Sequence, residues 1–318
     1  MRIILRKIFI VLVITISLVN LSGCRSSQNS TSGVLDRAEI IVSRNFGKEI
    51  ISQNEVEIPR GAALLHIMED NFQVETAYGG SFINSIHGLQ SGFTSKKNGE
   101  KLDWFFYVNG IMSQAGSGDY ELRAGDCIIW DYHDWGTSMY ISSIIGAFPD
   151  NFIKGYKDQL GLQIMHSEGY ENEGETLKRY LTKKGLSDIE HIEINEEPII
   201  EDKNNVIIIG LWEDISKHEC LKEIYKHKYK AGLFFEIDHK INALDFKGEI
   251  SATYENGAVI ASALNGYDVM STIWLITGNS KEDIKKSVKL LCENSEQIKG
   301  KFSVLLTGNE IVSLPFNQ

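Results

Sequence analysis

The run Trp130-Asp131-Tyr132-His133-Asp134-Trp135 carries the densest side-chain chemistry in the chain. Two indoles and a phenol offer stacking faces with one polar handle each, the carboxylates accept hydrogen bonds, and a neutral imidazole can donate, accept or ligate a metal. Alternate residues of an extended strand share a face, so Trp130 and Tyr132 are expected on one side and Asp131, His133 and Trp135 on the other. With the first pair in a core, the second face meets solvent or a ligand. Upstream, Tyr78 and Phe82 flank Gly79-Gly80, where missing side chains admit a close approach, His87 is a second imidazole, and Gln114 adds an amide. Tyr78, Gly79, Gly80, Phe82, His87, Gln114, His133 and Trp135 are therefore the candidate ligand-binding residues, expected on loops where a rigid sheet carries function.

Other constellations offer less. His218-Glu219-Cys220-Leu221-Lys222 begins like a zinc-protease helix, but Lys222 stands where the second histidine must fall four residues on. Thr277-Gly278-Asn279-Ser280 could hold an anion on backbone amides, yet it lacks the glycines and lysine of a phosphate loop and reads as a helix cap. Gln90-Ser91-Gly92 is not the strained turn of a nucleophilic serine, and the pairs Glu196-Glu197 and Glu201-Asp202 stand in a polar stretch as solvated charge. No catalytic residue and no metal site is assigned, no cofactor is required, and the chain is read as a non-enzyme. Cys127, Cys220 and Cys292 are widely spaced, without CxxC, and are expected as buried free thiols.

The N-terminus reads as an export signal. Arg2, Arg6 and Lys7 precede an uncharged run from Ile8 to Leu21 that is too short to span a bilayer core, where ~20 residues are needed. It ends in Leu21-Ser22-Gly23-Cys24, which resembles the lipobox of bacterial lipoproteins, with cleavage before Cys24 and acylation of its thiol. The resemblance implies a signal peptide over 1–23, a polar tether over 24–37, and a lipid-anchored location on the outer face of the bacterial cytoplasmic membrane. Arg2, Arg6 and Lys7 are the only charged residues of that signal, so its loss takes the 32 Lys and Arg to 29 against 43 Asp and Glu, and the net charge from −11 to −14. Such a balance excludes nucleic acid as a partner and leaves lipid, not charge, to hold the membrane.

Two domains are expected in the remainder. Over 38–136, strands are expected at Ala38–Val42, Glu55–Ile58, Phe82–Ile86, Trp104–Val108 and Cys127–Tyr132, with a short helix at Ala62–Met68. Asn109-Gly110 between apolar runs predicts a type I′ hairpin, and Ala124-Gly125-Asp126 turns the chain into the last strand. That pattern gives a small α+β domain of the β-grasp kind. Over 140–318, helices at Thr176–Lys184, Ile215–His227 and Lys281–Glu293 alternate with strands at Gly161–Met165, Val206–Leu211, Gly232–Ile237, Ala258–Ala263 and Thr272–Thr277, which predicts an α/β layered domain with partly parallel strands. Ser280 and Asp283 form a capping box for the last helix.

Four ordered blocks carry a resemblance: Gly61-Ala62-Ala63-Leu64-Leu65, Gly80-Ser81-Phe82-Ile83-Asn84-Ser85-Ile86-His87-Gly88, Trp104-Phe105-Phe106-Tyr107-Val108-Asn109-Gly110, and Leu122-Arg123-Ala124-Gly125-Asp126-Cys127-Ile128-Ile129-Trp130. Over residues 38–136 they resemble the bacterial domain similar to the C-terminal domain of transcobalamin and intrinsic factor. In the eukaryotic relatives that domain closes over one side of a corrinoid and a helical barrel supplies the other; here the partner is the α/β segment. The resemblance implies an extracytoplasmic solute-binding protein that captures cobalamin or another corrinoid and delivers it to a membrane transporter. A neutral imidazole at His87 or His133 is chemically able to ligate cobalt, but a lone histidine is usually a polar surface or turn residue. A surface adhesion or scaffolding module without a small-molecule ligand is the alternative reading, and an envelope enzyme built on the α/β domain a third.

Overall fold

The β-branched run Ile40-Ile41-Val42 alternates its faces within the strand Asp36–Arg44, and that alternation organises the molecule. Ala38, Ile40 and Val42 pack into one apolar cluster, Ile41 into another on the opposite side of the sheet. The structure is a computed structural model that describes residues 36–77, 82–93, 100–137, 141–194, 203–266 and 270–316. The signal peptide, Cys24, most of the expected tether, Tyr78, Gly79, Gly80 and the carboxylate pairs at 196–197 and 201–202 lie outside the described residues.

Asp36–Arg44 is the second strand of a five-stranded sheet ordered Glu49–Ile58, Asp36–Arg44, Cys127–Asp134, Leu102–Val108, Ile111–Met112. Asp36–Arg44 runs parallel to Cys127–Asp134, and the other pairs are antiparallel. The expected hairpin forms at Asn109-Gly110, both with positive φ (49° and 83°), between the paired Val108 and Ile111. Helix Leu64–Asn71 buries Leu64, Leu65, Ile67 and Met68 against one face of this sheet, together with a small antiparallel sheet of Val74–Ala77, Phe82–Ile86 and Leu89–Gln90.

The second half is built on a seven-stranded sheet ordered Ile189–Glu193, Leu162–His166, Asn205–Leu211, Ser271–Gly278, Ala258–Gly266, Ser303–Thr307, Glu310–Leu314. The first four are parallel and the last three antiparallel to their neighbours. Helices Glu171–Lys183 and Lys281–Glu293 cover one face, where Ile207, Ile209 and Trp274 meet Leu177, Leu181, Ile284 and Leu291. Ser280 caps the second helix by accepting from the Asp283 N–H, as the capping box requires. The expected single helix over 215–227 is instead three short ones, Trp212–Ile215, Glu219–Lys226 and Lys228–Ala231, with bends at Ser216–His218 and His227 that keep Trp212, Ile215 and Leu221 in the core. The third ends on Gly232 at φ 92°, where a left-handed cap favours glycine. The described residues are thus mixed α and β, rich in strand and distributed over several sheets. Among them, no helix is long and apolar enough to cross a membrane.

The opposite face of the seven-stranded sheet does not stop at a domain boundary. Its Val206, Ile208, Val259 and Leu305 share one apolar cluster with Ile41, Phe46, Tyr107, Cys127 and Ile129 of the first half. Phe302 sits edge-on to both Phe46 (5.4 Å) and Tyr107 (5.3 Å). Polar contacts repeat the join. Asn109 Nδ2 donates to Gly155 O at 2.8 Å, and Lys299 Nζ lies 2.7 Å from Glu39 Oε2. Burial alone would raise the Glu39 carboxyl, but the Lys299 ammonium and the Gln53 amide beside it hold it below the usual carboxylate range. Asp36–Gln318 forms one compact unit. Each half also has a cluster of its own, but the cluster between the two sheets runs across residue 137.

None of the three described cysteines is in a disulfide; Cys127 is buried, whereas Cys220 and Cys292 are only half-buried. Burial, with the Glu293 charge, pushes the Cys292 thiol up to about 12.

Candidate ligand-binding site

Aromatic residues on alternate positions of two paired strands build the floor of the site. Phe106 stands opposite Trp130 and Trp104 opposite Tyr132 in the antiparallel register of Leu102–Val108 with Cys127–Asp134. Cross-strand aromatic pairs of this kind stack. Phe106 and Trp130 lie 4.8 Å apart at 30°, Trp104 and Tyr132 5.1 Å apart at 47°. Phe82 and Ile83 from the small sheet and Ser113 and Ala115 after the hairpin close around them, leaving a groove of about 230 Å³. Most polar atoms here are matched. The Trp104 indole donates to Leu89 O (2.9 Å) and the Tyr132 hydroxyl to Gln90 O (2.8 Å). Trp130 is the exception: its Nε1 is buried and has no hydrogen-bond partner among the described residues. A buried donor left unmatched costs ~1–3 kcal/mol, which an acceptor on a ligand would recover.

The candidate residues do not converge on one place. Phe82 lines the groove, and Gln114, exposed, stands between Ser113 and Ala115 at its rim, its backbone N–H donating to the Tyr156 hydroxyl at 3.1 Å. Trp135 is at the far end of the last strand, half-buried, its indole donating to Asp103 Oδ2 at 2.7 Å, with exposed Phe93 edge-on at 5.2 Å and Lys101 Nζ 5.4 Å above the ring. Asp103, itself buried, also accepts from the Ser91 hydroxyl. His87 is exposed with φ 50°, beside Ser52 and Phe72. Among the described residues no group of three or more His, Cys, Asp or Glu is placed to hold a metal ion.

The largest departure concerns the face expected to meet solvent or ligand. His133 is 1% exposed and Asp131 is fully buried. The imidazole lies between Phe46 (4.6 Å, 29°) and Phe105 (4.5 Å, 20°), with Phe302 edge-on at 5.4 Å. The reason is tertiary: this face of the first sheet is covered by the second half of the chain, so its polar groups had to be satisfied internally. Asp131 accepts from Phe46 N (3.0 Å), Gly47 N (2.8 Å) and Ser43 Oγ (2.6 Å), and His133 Nδ1 lies 2.8 Å from its Oδ1. Since a carboxylate only accepts, Nδ1 carries the proton. The two backbone donors belong to a turn in which Asn45, Phe46 and Gly47 all have positive φ (55°, 61° and 71°). Phenylalanine is rarely tolerated there, and such strain persists only where surroundings over-determine it. Gly47 has a second reason for its identity, since a Cβ would sit 1.9 Å from Gly300 O.

A family model described as "Domain of unknown function (DUF4430)" matches residues 61–134. The match contains Phe82, Trp104, Phe106 and Trp130, and ends at Asp134 before the second half begins. No curated protein matches the chain. Among solved structures, a "putative metal binding protein" from Ruminococcus gnavus ATCC 29149 is similar at 15% identity and a TM-score of 0.24, over 31% of this chain and 97% of that one. Haptocorrin in complex with Cbi is similar at 21% identity and a TM-score of 0.24, over 31% of this chain and 26% of that one.

Proposed function

We propose that this chain is an exported lipoprotein, held by acylated Cys24 on the outer face of the cytoplasmic membrane, which captures a flat, polar-edged solute of the corrinoid class and passes it to a membrane transporter. The observation that carries the reading is the aromatic groove with the buried, unmatched indole N–H of Trp130. Aromatic walls with few polar groups are the usual lining of small-molecule sites. A volume of about 230 Å³ takes an edge of a macrocycle rather than the whole, so the rest of the ligand lies outside the groove. The sequence blocks that resemble the transcobalamin C-terminal domain supply the ligand class. The β-grasp reading rests on helix Leu64–Asn71 laid on a mixed sheet whose inner strands Asp36–Arg44 and Cys127–Asp134 are parallel.

Equilibrium dialysis of the purified chain against cyanocobalamin and cobinamide is expected to retain at least one of them. Trp130→Phe keeps a ring and removes the donor, and should weaken retention about fivefold, equivalent to one neutral hydrogen bond of ~1 kcal/mol. The smaller ring also leaves a gap that costs the fold ~1–2 kcal/mol, so both proteins are compared well below their melting points. No retention of either corrinoid by the unaltered chain would sink the ligand class, and equal retention by Trp130→Phe would move the site. For the anchor, Cys24→Ala is expected to shift the chain out of the processed, membrane-held form. A cleaved chain that still pellets with membranes after this change would end the lipoprotein reading.

A further inference from the structure

The seven-stranded sheet has a feature the aromatic groove does not use. From Leu162–His166 the chain passes through helix Glu171–Lys183 to the neighbouring strand Ile189–Glu193, then crosses back to Asn205–Leu211 on the other side of Leu162–His166. The strand order therefore reverses direction between Leu162–His166 and Asn205–Leu211, which are parallel. The segments that follow them diverge. Leu177 and Leu181 of the first helix pack on one face of the sheet, and Trp212, Ile215 and Leu221 after the other strand pack on the opposite face. Two connections leaving the carboxyl ends of adjacent parallel strands toward opposite faces must open a crevice between them, and in open α/β sheets that crevice is where ligands bind.

The crevice is present, with a volume of about 530 Å³, within the range of small-molecule sites. Its lining brings Glu168, Glu193, Asp214, Lys217 and Lys281 together from four different connections. Among the described residues none of these five charges is in an ion pair, although the next lysines of the same helix are: Lys285 lies 4.0 Å from Glu173, and Lys286 3.7 Å from Asp283. Among the described residues the hydroxyl of Ser167, which lines the crevice and is 8% exposed, is buried without a partner, as is that of Tyr170 three residues on. Burial and the Asp214 charge push the Tyr170 phenol up to about 12, so it stays a donor.

Charges of both signs converge here without neutralising one another. A purely anionic ligand would meet three carboxylates, and a purely cationic one two ammonium groups. We infer that this crevice is a second binding site, separate from the aromatic groove, for a small zwitterionic solute of the amino-acid or short-peptide class, with its carboxylate toward Lys217 and Lys281 and its ammonium toward Glu168, Glu193 and Asp214. The groove and the crevice share no lining residue, so this inference stands or falls independently of corrinoid binding.

The test is thermal unfolding and calorimetric titration of the full chain in detergent with the common amino acids and with glycylglycine, beside inorganic phosphate, citrate and putrescine as probes of one charge sign. At least one zwitterion is expected to raise Tm at millimolar concentration. Lys281→Met and Asp214→Asn should each weaken it tenfold or more, with the unliganded Tm unchanged. Should either variant lower the unliganded Tm, exposed Lys217→Met and Glu168→Gln take its place under the same criterion. A shift given only by a single-sign probe, no shift with any zwitterion, or a zwitterion bound equally well by the variants would overturn the inference.

Discussion

Asp131→Ala is expected to cost the fold about 3 to 5 kcal/mol, since each buried donor left without its acceptor costs ~1–3 kcal/mol. The carboxyl is fully buried and takes two backbone N–H groups, the Ser43 hydroxyl and the His133 imidazole. Truncation leaves the Phe46 and Gly47 N–H groups and the His133 imidazole without this acceptor, while the Ser43 hydroxyl keeps Trp130 O at 3.2 Å, and it releases the side chain that holds the two backbone donors of the strained turn. Asp131→Asn should do little better, because its amide turns an N–H₂ toward donors where a carboxylate oxygen accepted. Ser43→Ala, which removes one donor of the four, should cost only ~1 kcal/mol. Urea unfolding of the three variants measures the order. A loss below ~1 kcal/mol for Asp131→Ala would mean that the turn is held by packing of Phe46 alone.

Residues 36–137 expressed without the second half are expected not to reach a native state. In the intact chain Ile41, Tyr107, Cys127 and Ile129 are fully buried, Phe46 is 3% exposed, and all five pack into the cluster shared with Phe302 and Leu305. Each large apolar side chain returned to water costs ~1.5–3 kcal/mol, and a domain of this size has only ~5–15 kcal/mol to lose. His133 and Asp131 would face water together with them, and Gly110 would lose its contact with the Ile144 N–H at 2.8 Å. The fragment should therefore aggregate or show a non-cooperative melt with weak near-ultraviolet dichroism, whereas the chain from Asp36 to the C-terminus melts in one transition. A cooperative, native-like melt of the fragment would establish the boundary near residue 137 as a true domain boundary.

Much of the framework was legible because it rests on local patterns. Apolar, β-branched and aromatic runs marked strands at Phe82–Ile86, Trp104–Val108, Cys127–Tyr132 and Val206–Leu211, which the structure extends to Leu102–Val108, Cys127–Asp134 and Asn205–Leu211, and Asn109-Gly110 marked the hairpin. Lys281–Glu293 was readable to the residue, since an apolar stripe and a Ser280–Asp283 cap act within one element. Strands whose pairing depends on distant partners were not readable. Ile189–Glu193 is the polar edge of its sheet, half-exposed along its length. The hairpin of Ser303–Thr307 and Glu310–Leu314 is a different case: it turns at Gly308-Asn309, a local type II′ signal with Gly308 at φ 61° that went unread in the sequence.

The sites divide the same way. Alternation along Trp130 to Trp135 was enough to assign Trp130 and Tyr132 to one face and Asp131 and His133 to the other, because the period of a strand is local geometry. Which face is covered is not local. It depends on Phe302, Phe234 and Phe246, more than 100 positions away, which close over His133 and Phe46. The crevice at the parallel strands was hidden for a stronger reason: Glu168, Glu193, Asp214, Lys217 and Lys281 look like ordinary solvated charge when read in line. They become a set only when strand order brings four connections to one end of a sheet, and order within a parallel sheet is decided by crossovers and packing that no single segment encodes.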